Sequence, residues 1–360
     1  MAAVDLNFGI VDPHIHLWDP YTTPRLVSPA VKIFGRFPRL LNAVAGVAFP
    51  RSAKAFVGRT TYVAAPYMPV DYNAATAPYR IDSIVHVQAG WHDPDPMGPV
   101  GETRWLETLD YAKADITLGA LVAEGVPESA HFSQLLDAHL AASDRVRGIR
   151  AMAAWHPDPG VFGFHDQPGR YSDPAFIDGL QAMIDRQLRF DAWCYSDQLG
   201  SLTAIAQRYP ELPIMLDHLG TPAGVLGPVG RHTGQTAMQR SNILAAWRES
   251  LAELAACGNV HCKLSGLLMP VLGHGFAARN RPPSADEIAE RLSPLVSHAL
   301  AVFGPERCVF ASNFPMDQVC ADLPTVIDAY AQMVADQAPD ALRAVFRDNA
   351  LAFYDMVSDG

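Results

Sequence analysis

The stretch Ile10-Val11-Asp12-Pro13-His14-Ile15-His16 decides how the chain is read. Side chains of a strand alternate faces, so His14 and His16 point one way, and Val11 and Ile15 the other. Two imidazoles one residue apart on one face converge on a metal ion or on a single polar group. The alternative is a pair of partly buried, hydrogen-bonded histidines. Pro13 cannot donate to a sheet ladder, which places the pair at the end of its strand. A buried strand that opens into loops is where a barrel keeps its chemistry.

Outward from this stretch, residues 17–80 form a long segment rich in proline, aromatic and basic residues, among them Trp18, Arg25, Tyr62 and Tyr67. Insertions of this length in a compact domain are usually binding segments or lids, and the aromatic content argues against disorder. It is expected to cover the mouth of the active site.

From Ile81 the pattern becomes regular. Strands are expected at Ser83–Ala89, Ile116–Val122, Arg147–Met152, Arg189–Cys194, Leu212–Leu216, Asn259–Leu264 and Arg307–Ala311. Helices are expected at Glu102–Ala114, Ser129–Ala142, Pro174–Arg186, Gln198–Tyr209, Asn242–Ala256, Asp286–Val302 and within Leu323–Met356. With the first strand this makes eight strand–helix units, the number of a closed (β/α)8 TIM barrel. Loop lengths agree with that fold. Connections leaving the strands are long (155–173, 221–241, 265–284) and those entering them are short, as when strand-to-helix loops build the active face.

The 360 residues show no linker or low-complexity run, so residues 1–360 read as a single domain. Hydrophobic residues make up 49% and charged ones 18%, enough for a large core. A net charge of −11 gives no footprint for nucleic acid or anionic membranes. No apolar run reaches the ~18 residues of a membrane helix, and the N-terminal residues lack the basic and apolar regions expected of a signal peptide. Cys194, Cys257, Cys262, Cys308 and Cys320 are scattered without a CxxC pair, which suggests reduced thiols and a cytoplasmic protein. A homo-oligomer stays open.

Polar residues gather at the strand ends. His86 and Gln88 share a face of the second strand, and Arg150 ends the fourth. Asp191, Trp193 and Tyr195 share a face of the fifth. His218 ends the sixth on the face of Ile214 and Leu216, with Asp217 beside it as a possible cap. Lys263 and Ser265 end the seventh, and Asn313 the eighth, with Asp317 in the loop beyond. Each alone has an ordinary structural explanation, such as an ion pair for Arg150 or a snorkelling Lys263. Together they need partners that a metal or a substrate would supply.

Asp12-Pro13-His14-Ile15-His16, Leu216-Asp217-His218-Leu219-Gly220, Lys263-Leu264-Ser265-Gly266-Leu267, Ser312-Asn313-Phe314-Pro315 and Asp348-Asn349-Ala350-Leu351-Ala352-Phe353-Tyr354 resemble the landmarks of the amidohydrolase superfamily, amidohydrolase-2 branch. The likeness is greatest to its lactonase-type group. The resemblance implies a barrel hydrolase acting on a small carboxylate, often a lactone, with a divalent ion held by the first-strand histidines, a later histidine and an aspartate ending strand eight. His14, His16 and His218 match the histidines; Asn313 stands in the aspartate's place. An amide cannot take a proton from water, so Asp317 is the candidate substitute base. Three histidines and a water still suit zinc. Without an ion, Lys263 and the histidines would polarise the substrate carbonyl.

The expected function is hydrolysis of a small carboxylate-bearing lactone. Arg150 would bind the carboxylate, for which its fork suits better than lysine, and His86 and Tyr195 would supply further contacts. A decarboxylase of small aromatic or unsaturated acids on the same scaffold is the alternative, and a non-catalytic binding module a more distant one.

Overall fold

The computed structural model describes residues 4–25, 56, 58 and 62–357. Eight parallel strands run in the order β1 to β8: β1 Ile10–Ile15, β2 Ile81–Val87, β3 Thr117–Glu124, β4 Val146–Met152, β5 Arg189–Trp193, β6 Ile214–Leu216, β7 Val260–Leu264 and β8 Cys308–Phe310. Every expected strand is present, and helices lie between them as in a TIM barrel. The ring meets beyond the ends of β8 and β1. There Asn313 N donates to the His14 carbonyl (3.0 Å) and His16 N to the Phe314 carbonyl (2.8 Å).

The two faces of each strand separate into two cores. Val11, Val85, Val87, Ala120, Val122, Met215 and Val309 fill the barrel interior, closed by Ala350, Phe353 and Tyr354. Ile84, Leu121, Ile149, Phe190, Leu216 and Leu264 pack outward under the helices. Val11 faces inward, against expectation. The β1–β2 register slips between Asp12 and Ile15, around Pro13, and this irregularity resets the alternation before the histidines.

Helix ends follow local capping. The helix expected from Asn242 begins at Ala237, because Thr236 and Gln239 form a capping box. Ser284 and Glu287 do the same for Ala285–Phe303. The helix expected over Glu102–Ala114 stops at Glu107, and the chain turns into β3 through a left-handed Asp115 (φ 51°).

Most of the insertion, including residues 26–55, lies outside the described residues. Its ends are pinned by paired backbone hydrogen bonds between Trp18 and Tyr67 (3.1 and 2.8 Å). Phe56 is buried against Phe162, Phe164 and Trp193, with ring centroids 5.7, 5.2 and 6.0 Å away. No helix among the described residues is long and apolar enough to cross a membrane, and no disulfide links the five cysteines.

Candidate active site

The site is built on a floor of buried charge. Lys263, on β7 and fully buried, places Nζ 2.5 Å from Asp191 Oδ2, 3.0 Å from Asp217 Oδ1 and 3.2 Å from His14 Nδ1. Tyr354 donates from below to Asp191 Oδ2 (2.7 Å). Burial, with Asp217's charge added, pushes the Asp191 carboxyl up. Burial would raise Asp217 too, but Lys263, His14 and Arg150 hold it well below the usual carboxylate range. Burial keeps His14 and His16 well below their ordinary pKa and brings His218 to about 3, so all three are neutral.

The first-strand pair converges as expected: His14 Nε2 and His16 Nε2 are 3.2 Å apart. His16 Nδ1 lies 2.8 Å from the Val87 carbonyl oxygen, which only accepts, so Nδ1 carries the hydrogen and Nε2 keeps its lone pair. Two assignments for His14 then satisfy the cluster. In one, Lys263 Nζ donates to His14 Nδ1 and His14 Nε2 donates to His16 Nε2, a continuous chain from ammonium to carbonyl. In the other, His14 Nδ1 donates towards Asp217 Oδ1 (3.3 Å) and both Nε2 lone pairs face one point. Two nitrogens each ~2.0–2.1 Å from one ion at a tetrahedral angle would stand about 3.3 Å apart. The pair fits a divalent cation.

His218 reaches the cluster by an irregular route. Met215 faces the interior, so Asp217 does as well, and His218 turns in through a left-handed backbone (φ 55°) just past the strand. A side chain at Gly266 would strike the His218 ring at 2.5 Å, so glycine there makes room for it. His218 Nδ1 meets Ser265 Oγ at 2.8 Å. Ligand atoms of His14, Asp217 and His218 all lie within 4.8 Å of one another. Asp217 is fully buried and anionic, ion-paired with Lys263 through Oδ1 (3.0 Å) and with Arg150 through Oδ2 (3.4 Å), and its carboxylate faces the histidines as a donor suited to a cation. Asp217, read from sequence as a cap, is therefore the carboxylate that joins the histidines. Its signal was Met215: two residues on, an aspartate must also face inward.

Asp317 does not take that place. It is fully buried, accepting from Asn313 Nδ2 (2.8 Å) on one oxygen and Leu268 N (3.3 Å) on the other, with burial raising it to about 7. It fixes the Asn313 amide, whose backbone is left-handed (φ 56°). His86 also departs from expectation. It lies on the face opposite Val85 and Val87, accepting from Leu17 N (3.1 Å) with Nε2 3.8 Å from Glu102. Tyr195 donates its hydroxyl to the Phe162 carbonyl (2.6 Å) and so braces the loop after β4.

Arg150 enters the mouth, with Nε 3.4 Å from Asp217 Oδ2 and its guanidinium 5.3 Å from the Trp193 ring centroid. Its register neighbour Glu124 ends β3 on the inward face of Ala120 and Val122. Sequence reading missed Glu124 because the strand was expected to stop at Val122. Burial, reinforced by the Glu102 charge, lifts its carboxyl to about 7. Beside them, Asp158 accepts from the backbone N–H groups of Gly160, Arg231, His232 and Thr233, tying the loop after β4 to the one after β6.

A parallel eight-stranded barrel with neutral histidines and buried carboxylates where its strands open is the arrangement of a hydrolase of the amidohydrolase kind. The Amidohydrolase family profile matches residues 11–356, and the chain belongs to that family. An L-fucono-1,5-lactonase from Burkholderia ambifaria is 28% identical over 96% of this chain and 94% of its own. Another, from Burkholderia multivorans, is 31% identical over 77% of this chain and 88% of its own. A crystal structure of a Burkholderia multivorans amidohydrolase with bound zinc shares the fold at TM-score 0.68 and 20% identity, covering 97% of this chain and all of that one.

Proposed function

We propose that the protein hydrolyses a small lactone, opening the ring to a hydroxy acid, with one divalent cation, zinc by its donor set, at the barrel mouth. The observation that carries this reading is the His14–His16 pair at 3.2 Å beside the buried Asp217 carboxylate, whose ligand atoms cluster with those of His14 and His218. Two lactonase relatives over most of the chain support the bond type. His14, His16, Asp217 and His218 would hold the cation, which when bound polarises a carbonyl and lowers the pKa of water. Lys263 keeps Asp217 anionic, and Asp217 then takes the His14 Nδ1 hydrogen and leaves Nε2 open toward the cation. Arg150 orients the substrate from the rim, and because Asp217 already pairs with it, the contact suits an oxygen of the ring better than a full carboxylate. Phe56, on the aromatic wall of Phe162, Phe164 and Trp193, would narrow the mouth. Free thiols throughout support a cytoplasmic site of action.

The test is elemental analysis of the purified protein together with acid release from a panel of 1,5-lactones. Lactone opening with about one equivalent of metal, lost on chelation and restored by zinc, is the expected result. Carbon dioxide release from an aromatic acid without lactone opening would replace the reading with a lyase. Full lactonase activity after exhaustive chelation would leave hydrolysis to Lys263 and the histidine chain.

A further inference from the structure

We propose that Glu124 is a specificity-determining residue: its carboxyl receives a ring hydroxyl of the substrate next to Arg150, so the site selects a polyhydroxylated lactone. This rests on the lactonase reading above and names the substrate class within it.

Glu124 is placed rigidly. It ends β3 in register with Arg150, and its backbone carbonyl lies 3.2 Å from His139 Nε2, whose other nitrogen meets Thr103 Oγ1 at 2.8 Å. A carbonyl only accepts, so His139 Nε2 donates, its Nδ1 accepts from Thr103, and the strand end is held. The side chain is not so satisfied. Glu124 Oε2 is buried with no hydrogen-bond partner, and on the next strand Arg150 Nε has only a long ion pair, 3.4 Å from Asp217 Oδ2. Leaving a buried polar atom unpaired is costly, and a ligand at the mouth would relieve that cost.

The chemistry of the pair selects the ligand. A guanidinium only donates, while a carboxyl accepts and, when protonated, also donates. A hydroxyl satisfies both neighbours at once, giving its hydrogen to Glu124 and taking one from Arg150. A carboxylate at the same place would meet Glu124 as a like charge and would compete with Asp217 for Arg150. The subsite therefore discriminates by hydroxyl groups. A site built around hydrogen bonds to hydroxyls rejects analogues that lack them, because its own polar groups then stay unpaired.

The experiment compares D-glucono-1,5-lactone with δ-valerolactone, the same ring without hydroxyls, on the metal-loaded wild type, Glu124→Gln and Glu124→Ala. Wild type should prefer the hydroxylated lactone in kcat/KM. Glu124→Ala should lower kcat/KM for it about 10- to 100-fold, chiefly through KM, and leave δ-valerolactone unchanged. Glu124→Gln, which keeps an acceptor oxygen and the side-chain shape, should retain part of the preference and so rescue Ala. Equal losses on both substrates, or no loss on either, would overturn the proposal, with thermal melts identifying a variant that fails to fold. Should wild type open neither ring, the lactonase reading itself falls. The subsite is then decided by calorimetry with gluconate and hexanoate. At least tenfold tighter gluconate binding by wild type than by Glu124→Ala, with hexanoate binding alike, upholds it, and a smaller difference overturns it.

Discussion

At the floor of the barrel Lys263 has three polar partners within 3.2 Å, whereas at the mouth Glu124 Oε2 has none and Arg150 Nε only an ion pair to Asp217 at 3.4 Å. Floor and mouth are both buried and both charged, so burial does not separate them. They differ in completion. The two carboxylates and the ammonium of the floor are satisfied chiefly by each other, and removing one strands the rest. The mouth keeps open donors and acceptors, as a surface must if a substrate is to finish it.

Lys263→Met tests this contrast most severely. It leaves Asp191 and Asp217 buried beside each other without their shared cation, and should cost about 3–5 kcal/mol of stability by denaturant unfolding. At the mouth, Arg150→Lys keeps the charge but loses the fork. It should leave the unfolding midpoint nearly in place while costing about 1–3 kcal/mol in transition-state binding, read from kcat/KM. Equal stability losses at the two positions would break the contrast.

Tyr354→Phe removes one hydrogen bond to a buried carboxylate and nothing else, so it should cost about 1.5–3 kcal/mol in stability. Its effect should shrink in a Lys263→Met background, because both act on Asp191; strict additivity in the double mutant would deny the coupling.

The smallest expected effect is acid sensitivity of the mouth. Burial lowers His139 to about 4. Between that value and the ordinary 6.5 the unfolded chain binds the extra proton and the folded one does not, so stability falls as pH drops through this window. Protonation would also reverse the Thr103 bond, making His139 Nδ1 the donor and the hydroxyl the acceptor, at the strand end that carries Glu124. His139→Gln should flatten this part of the stability-versus-pH curve relative to wild type; an unchanged slope would remove His139 from the account.

The same contrast explains what could be read from the sequence. His14, His16 and Lys263 were legible because each sits in a strand with strong local periodicity, and eight such strands fix a barrel. Asp217 was not, because alternation was phased on His218, where a left-handed residue breaks it. Val11 failed for a related reason, the register slip at Pro13. Tyr354 was visible as a landmark but not as a partner, since Asp191 lies 163 residues away in the chain and only the closed barrel brings them together. His86 and Tyr195 were placed by face alone; what they bond to depends on Leu17, Glu102 and Phe162, which no period predicts. Glu124 was lost with two residues of strand.

The His14 carbonyl and His16 N–H pair with Asn313 and Phe314, and the Asp12 carboxylate accepts from Ser312 N (3.0 Å). The histidine pair thus sits on the seam where the first strand meets the last, joining residues 300 apart. Strand–helix units can form from local contacts early in folding, but this closure carries the largest loop entropy in the chain. A refolding chain should regain its helical signal well before its activity, and the interval between the two would time the closing of the ring.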